Sequence, residues 1–329
     1  MSCIKSCLDY LGVDLSYPWL YGGTGNAFAL NMNDTVFVDC AQAWDIDALF
    51  DLAPNLGFTV EQFKVEHAVA LEMPDDEFRR KQREAFDFVQ ARIDRGLPAY
   101  AWELSPIPNY LVITGCYDAQ DTVSAGDTGA AGQAGVAGYT YAGWAGWDSS
   151  KRGTCPWDKL GTFDVKLIAV NCVHPAAPAP DSATVKAALT SVLERVERSD
   201  GWSIGPRYRT GLPAYDMWAD ALETGRANRD GEAYINQVWL ECREMAVEFL
   251  AEAKARLPGP CDAAFDEAAG HYTTVRDKLR ALAELHPERS DRTDWTTTFA
   301  SSEGARLVRE AAQAERKGIA CLKQIAKAL

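Results

Sequence analysis

A cysteine stands third in the chain, at the start of a segment, Cys3 to Leu11, that patterns as a short helix stopped by Gly12. A helix N-terminus favours an anion, so Cys3 is a candidate thiolate nucleophile of the kind that cysteine hydrolases and acyltransferases use. The same spacing equally suits two thiols, Cys3 and Cys7, packed inside the first helix. A nucleophile needs a base to take its proton, and the four histidines, 67, 174, 271 and 286, stand in no pattern that ties one of them to Cys3. His271, in a helix that could overhang a cleft, is the candidate base if there is one.

A second constellation is Trp102-Glu103 at the end of one strand with Asn109-Tyr110 opening the next. In a hairpin these could meet at a cleft, where Glu103 holds a cationic group and Trp102 stacks on it. The alternative is a solvent-facing carboxylate beside a half-buried indole. A third lies further on. Tyr215 and Trp218 are three apart, and Asn236, Trp239 and Arg243 follow at helical spacing, with His271 and Tyr272 in the next helix. Such polar-aromatic faces line pockets between helices, or belong to an amphipathic bundle with buried tryptophans and an Arg–Glu pair. Gly22-Gly-Thr-Gly25, leading to Asn26, fits neither the P-loop nor the dinucleotide fingerprint. It reads as close backbone packing or a turn beside a ligand.

The elements that would position these residues fall into two halves. Phe58 to Lys64, Pro98 to Leu104, Tyr110 to Tyr117, Gly138 to Ala142 and Val165 to Cys172 are rich in β-branched and aromatic residues and read as strands. Ala29 to Asn31 and Val36 to Val38 suggest short ones. Residues 75–95 are helical, acidic at the start, with Phe78, Phe86, Val89 and Ile93 on one face. Asp45 to Leu56 reads as another helix, and 119–138 as a Gly/Ala/Ser-rich loop or hairpin tip. His174-Pro-Ala-Ala-Pro-Ala-Pro180 reads as an extended linker. Beyond it, 181–199, 211–225, 231–256, 261–285 and 301–328 carry helical periodicity.

Three stretches carry a resemblance: Trp19-Leu-Tyr-Gly-Gly-Thr-Gly-Asn-Ala-Phe28, Gly96-Leu-Pro-Ala-Tyr-Ala-Trp-Glu-Leu104, and Asn109-Tyr-Leu-Val-Ile-Thr-Gly115. Together they resemble the N-terminal domain of the butirosin biosynthesis protein H family, and Cys3-x₃-Cys7-Leu-x₂-Leu-Gly12 is similar to bacteriocin-processing peptidases. The resemblance covers roughly residues 1–172. It implies a papain-like cysteine-peptidase fold and the transfer of an aminoacyl group to an aminoglycoside, with Cys3 at the nucleophile's position. It also implies a histidine opening the strand that ends in Tyr117-Asp118. Asn109 stands there instead, and an amide cannot act as general base.

Length and composition fit two globular domains. The net charge of −14 disfavours nucleic acid and anionic membrane surfaces and suits a neutral or cationic small molecule. No apolar stretch is long enough to span a bilayer, and nine scattered cysteines without a CxxC pair read as free thiols of a cytoplasmic protein. No metal site and no cofactor is expected. The expected architecture is α+β: a papain-like domain over 1–173, a proline-rich linker over 174–180, and an all-α helical bundle over 181–329. The long helices 231–256 and 301–328 could supply a homodimer face. The expected function is small-molecule binding in a biosynthetic setting on a scaffold without its histidine. The competing expectation is a thiol acyltransferase or amidohydrolase using Cys3. The expected ligand-binding set is Asn26, Trp102, Glu103, Asn109, Tyr110, Tyr215, Trp218, Arg243 and His271.

Overall fold

The computed structural model describes residues 1–43, 45–106, 108–120, 136–142, 152–197, 205–288 and 295–329. Most of the 119–138 segment read as a loop or hairpin tip lies outside the described residues. The chain is mixed α+β with a helical C-terminal region, and it divides into two compact units: Met1–Leu15 with Gly57–Ala177, and Ser16–Leu56 with Pro178–Leu329.

The first unit is built on a six-stranded sheet. Its spatial order is Phe58–Val65, Ile168–Pro175, Ala99–Trp102, Tyr110–Tyr117, Gly138–Ala142, Arg152–Pro156, with every neighbouring pair antiparallel. Side chains alternate across a pleated strand. Ala99, Ala101, Leu111, Ile113, Ile168 and Val170 therefore share one face, where they pack with Phe78, Phe86 and Val89 of the helix Asp75–Ile93. That helix starts with three acidic residues and ends with Arg92, complementing its dipole. The opposite parity, Tyr100, Trp102 and Tyr110, belongs to the other face. The helix Ser2–Tyr10 packs on these same central strands and buries Ile4, Cys7 and Leu8. The strand Arg152–Pro156 has no clear period-2 signal in its polar sequence. Its Gly153 leaves room for the Tyr141 ring, which a Cβ would meet at 2.3 Å.

The second unit contains the helices Tyr17–Gly23, Asp181–Glu197, Leu212–Thr224, Arg229–Arg256, Asp262–Leu285 and Ser302–Ala328. Two short antiparallel pairs tie its loops together, Asn31–Asn33 with Tyr208–Thr210 and Ala227–Asn228 with Thr298–Phe299. The division differs from a first domain running unbroken over 1–173, because residues 16–56 pack with the helices. The cause is long-range burial. Trp19 and Phe28 close on Phe249 with ring centroids 5.5 and 6.1 Å apart, and Phe28 also meets Tyr272 at 5.1 Å.

Local differences have local causes. The glycine-rich stretch forms a helix, Tyr17–Gly23, because Ser16 Oγ accepts from Trp19 N at 3.1 Å and Pro18 sits in the first turn. Its glycines serve close packing: a Cβ on Gly22 would lie 1.9 Å from the Phe249 ring, and one on Gly23 2.4 Å from Leu56. Val36–Val38 does not form a strand, since Val38–Ala41 winds into a 3₁₀ turn. Asp47–Leu56 is 3₁₀ rather than α, with Pro54 removing a donor inside it. Among the described residues no helix is long and apolar enough to cross a membrane, and all nine cysteines are free thiols.

Candidate functional site

In the sheet unit the structure brings Cys3 to the strand that Asn109 introduces. The Cys3 thiol donates to the Tyr110 carbonyl at 3.3 Å. Burial pushes this thiol's pKa up, only partly offset by the charge of the chain's amino terminus. The two imidazoles of this unit are committed elsewhere: His67 Nδ1 to the Lys166 carbonyl at 3.1 Å and His174 Nε2 to Glu61 at 2.9 Å.

Asn109 is spent locally. Its side-chain oxygen accepts from the Tyr110 N–H at 2.8 Å, and its backbone carbonyl accepts from Glu103 N at 3.0 Å, closing the turn between the two strands. Trp102 lies across the sheet from Tyr110, their rings 5.1 Å apart and edge-on, with Tyr100 at 5.5 Å from the same tyrosine. The Trp102 indole nitrogen is buried and faces the neighbouring Glu103 carboxylate outside hydrogen-bond geometry. Glu103 is neither solvent-facing nor free for a cation. It is fully buried, sits at φ 52°, and its carboxylate accepts from the backbone N–H groups of Asp164 and Val165 at 3.2–3.4 Å. Burial pushes its pKa up against those two hydrogen bonds. Its work is to hold the 162–165 loop.

In the helical unit Tyr215 and Arg243 do meet, around a residue that sequence reasoning missed. Glu315 takes a bidentate pair from Arg243, Nε and Nη2 each at 2.8 Å, and a third bond from the Tyr215 hydroxyl at 2.5 Å. The remaining guanidinium nitrogen donates to the Ala27 and Ala29 carbonyls at 3.2 and 2.7 Å. Burial opposes the charge on Arg243, yet Glu315 and its hydrogen bonds outweigh it and push the pKa up. These groups are buried and satisfy one another. Asn26 is buried in the segment that Arg243 holds, and Trp218 is fully buried with its indole facing Glu232 outside hydrogen-bond geometry.

His271 belongs to a different group. It lies one turn from Glu267, 3.8 Å away, and with Cys321 of the last helix these donor atoms fall within 4.8 Å of one another. Nitrogen, oxygen and sulfur donors in that number suit a borderline cation such as zinc, with a fourth position left to water. A second group not foreseen joins three helix ends: Glu232 Oε2 to His286 Nδ1 at 3.0 Å, and His286 Nε2 to Ser301 Oγ at 3.0 Å. The helix-capping Ser301 and the helix-ending His286-Pro287 are each visible in the sequence, but nothing in it pairs them. No protein-family model matches the chain, and no curated protein matches it.

Proposed function

We propose that the chain is a small-molecule-binding protein of a biosynthetic step, built on a papain-like scaffold that lacks the base of a working cysteine enzyme. The observation that carries this reading is the partner of Cys3. A thiol that donates to a backbone carbonyl is protonated, and neither imidazole of its unit is there to remove the proton. Beside it, Tyr100, Trp102 and Tyr110 form an aromatic wall. The net charge of −14 favours a neutral or cationic ligand, in keeping with the aminoglycoside that the family resemblance implies.

Two measurements test this. Iodoacetamide labelling of Cys3 between about pH 6 and 9 should be slow and rise with pH without a plateau near neutrality. Calorimetric titration with neomycin should give a binding heat that survives Cys3→Ser and is lost in Trp102→Ala. A thiol that labels rapidly at pH 7 would restore the acyltransferase reading, and absence of a binding heat would remove the aminoglycoside class.

A further inference from the structure

The helical unit holds a hydrogen-bonded series of hydroxyl, imidazole and carboxylate. Glu232, in the first turn of Arg229–Arg256, is fully buried, and its Oε1 has no hydrogen-bond partner among the described residues. Its Oε2 takes the Nδ1 side of His286 at 3.0 Å. With Glu232 ionised, that contact puts the proton on Nδ1 and leaves Nε2 as an acceptor. At 3.0 Å from Nε2 lies the Ser301 hydroxyl, which caps Ser302–Ala328 by accepting from Gly304 N at 3.0 Å. The imidazole is held edge-on against Phe299, ring centroids 4.8 Å apart, with its side chain 11% exposed. Residue 304 must be small: a Cβ there would lie 2.7 Å from the ring and 2.9 Å from Ser301 Oγ.

We propose that Ser301, His286 and Glu232 act as nucleophile, base and positioning carboxylate, and give the helical unit an activity that cleaves a small uncharged ester by acyl transfer. Nucleophile–base and base–carboxylate contacts within hydrogen-bond reach are the geometric requirement for such chemistry. The first N–H groups of a helix have no intrahelical acceptor, so those of Ser302 and Glu303 follow the nucleophile directly as donors for a developing oxyanion. In the first step Oγ bonds to the ester carbonyl carbon as its proton passes to His286 Nε2. The bond from that carbon to the alcohol oxygen then breaks, and Nε2 returns the proton to the departing alcohol. Water next adds to the acyl-serine, giving a proton to Nε2. The carboxylic acid leaves, and Oγ recovers its proton. Net, one ester and one water yield one alcohol and one acid. The activity is independent of Cys3 and of the ligand reading above.

The full chain is treated with a fluorophosphonate probe, the adduct is mapped by peptide mass, and p-nitrophenyl acetate hydrolysis is followed in parallel. The expected result is one adduct, on Ser301. Asparagine caps a helix as well as serine does, so Ser301→Asn keeps the fold while removing the nucleophile. It should take up no probe and hydrolyse the ester about 100-fold more slowly or worse. Glu232→Gln should lower kcat about 10-fold or more with KM unchanged, a split that a merely architectural role would not produce. Cys3→Ser should leave both readouts intact. The proposal is overturned by a folded wild-type protein that takes no probe or takes it elsewhere, by Ser301→Asn hydrolysing at the wild-type rate, or by loss of activity in Cys3→Ser.

Discussion

Replacing Arg243 by methionine tests whether the helical unit is organised around its buried ion pair. The guanidinium is wholly inaccessible and makes two bonds to Glu315 and two to the carbonyls of Ala27 and Ala29. Methionine fills most of the volume but leaves the Glu315 carboxylate, 5% exposed, without its counter-charge. Breaking a buried pair from one side costs about 3–5 kcal/mol, and orphaning a carbonyl adds about 1 kcal/mol or more. A domain is stable by only about 5–15 kcal/mol, so Arg243→Met should bring the unit close to unfolding at room temperature. Glu315→Leu should cost a comparable amount, because it strands the cation. The double variant Arg243→Met/Glu315→Leu removes both charges, leaving only the two carbonyls and the Tyr215 hydroxyl unpaired. It should be less destabilised than the singles together, with a coupling of about 2 kcal/mol or more. Urea unfolding followed by tryptophan fluorescence reads this, since Trp218 and Trp239 are buried in the same unit. A loss below about 1 kcal/mol in Arg243→Met, or strict additivity in the double variant, would refute the assignment of Arg243 and Glu315 as the organising pair.

Gly22→Ala should destabilise the helical unit by about 1–3 kcal/mol or more, because its Cβ would overlap the Phe249 ring. The thermal midpoint checks it, and Gly22→Ala/Phe249→Leu should recover part of the loss. In the sheet unit, the hydrogen bond from Arg92 holds the Glu61 carboxyl below its ordinary value of 4.5, against the opposing effect of burial and with help from the charge of Arg92 and from His174. A lowered carboxyl pKa contributes stability that is complete above about pH 4.5 and is lost as pH falls through the folded-state value. Arg92→Leu should therefore flatten the loss of urea stability between about pH 5 and 3, by a modest amount because Glu61 is 41% exposed and solvent screens the pair. An unchanged acid limb would contradict the pairing.

The elements with a strong period stood out in the sequence. Tyr110–Tyr117 and Gly138–Ala142 appear at their expected bounds, and Asp75–Ile93 and the five long helices lie within a few residues of theirs. Elements lacking a period did not. Arg152–Pro156 is an edge strand with one apolar residue, Cys155, besides its proline. Tyr17–Gly23 did carry its start signal in Ser16 and Pro18, but the glycines at its end read as a loop. The candidate site divides in the same way. That Tyr215 and Arg243 share a buried environment follows from helical spacing, whereas Glu315, 72 residues beyond Arg243, looks like any surface acid on an amphipathic helix. Asn109 could be seen as unfit to be a base. That its amide caps the Tyr110 N–H is a matter of turn geometry, which residue types alone do not reveal.

The polar groups of the two units differ in a way that bears on where chemistry can occur. In the sheet unit Cys3, Asn109 and Glu103 each find a backbone partner, and each is consumed in fixing a turn, a helix or a loop. In the helical unit Glu232 and His286 are paired side chain to side chain, and Ser301 Oγ, while capping its helix by accepting from Gly304 N, also lies 3.0 Å from His286 Nε2. Arg243 and Glu315 are also paired side chain to side chain, but both are buried and one keeps its charge at any accessible pH, so they serve as a strut. Of the polar clusters described, the Glu232–His286–Ser301 series alone combines an acceptor, a transferable proton and a hydroxyl on a partly exposed residue. A search for turnover is therefore better directed at Ser301.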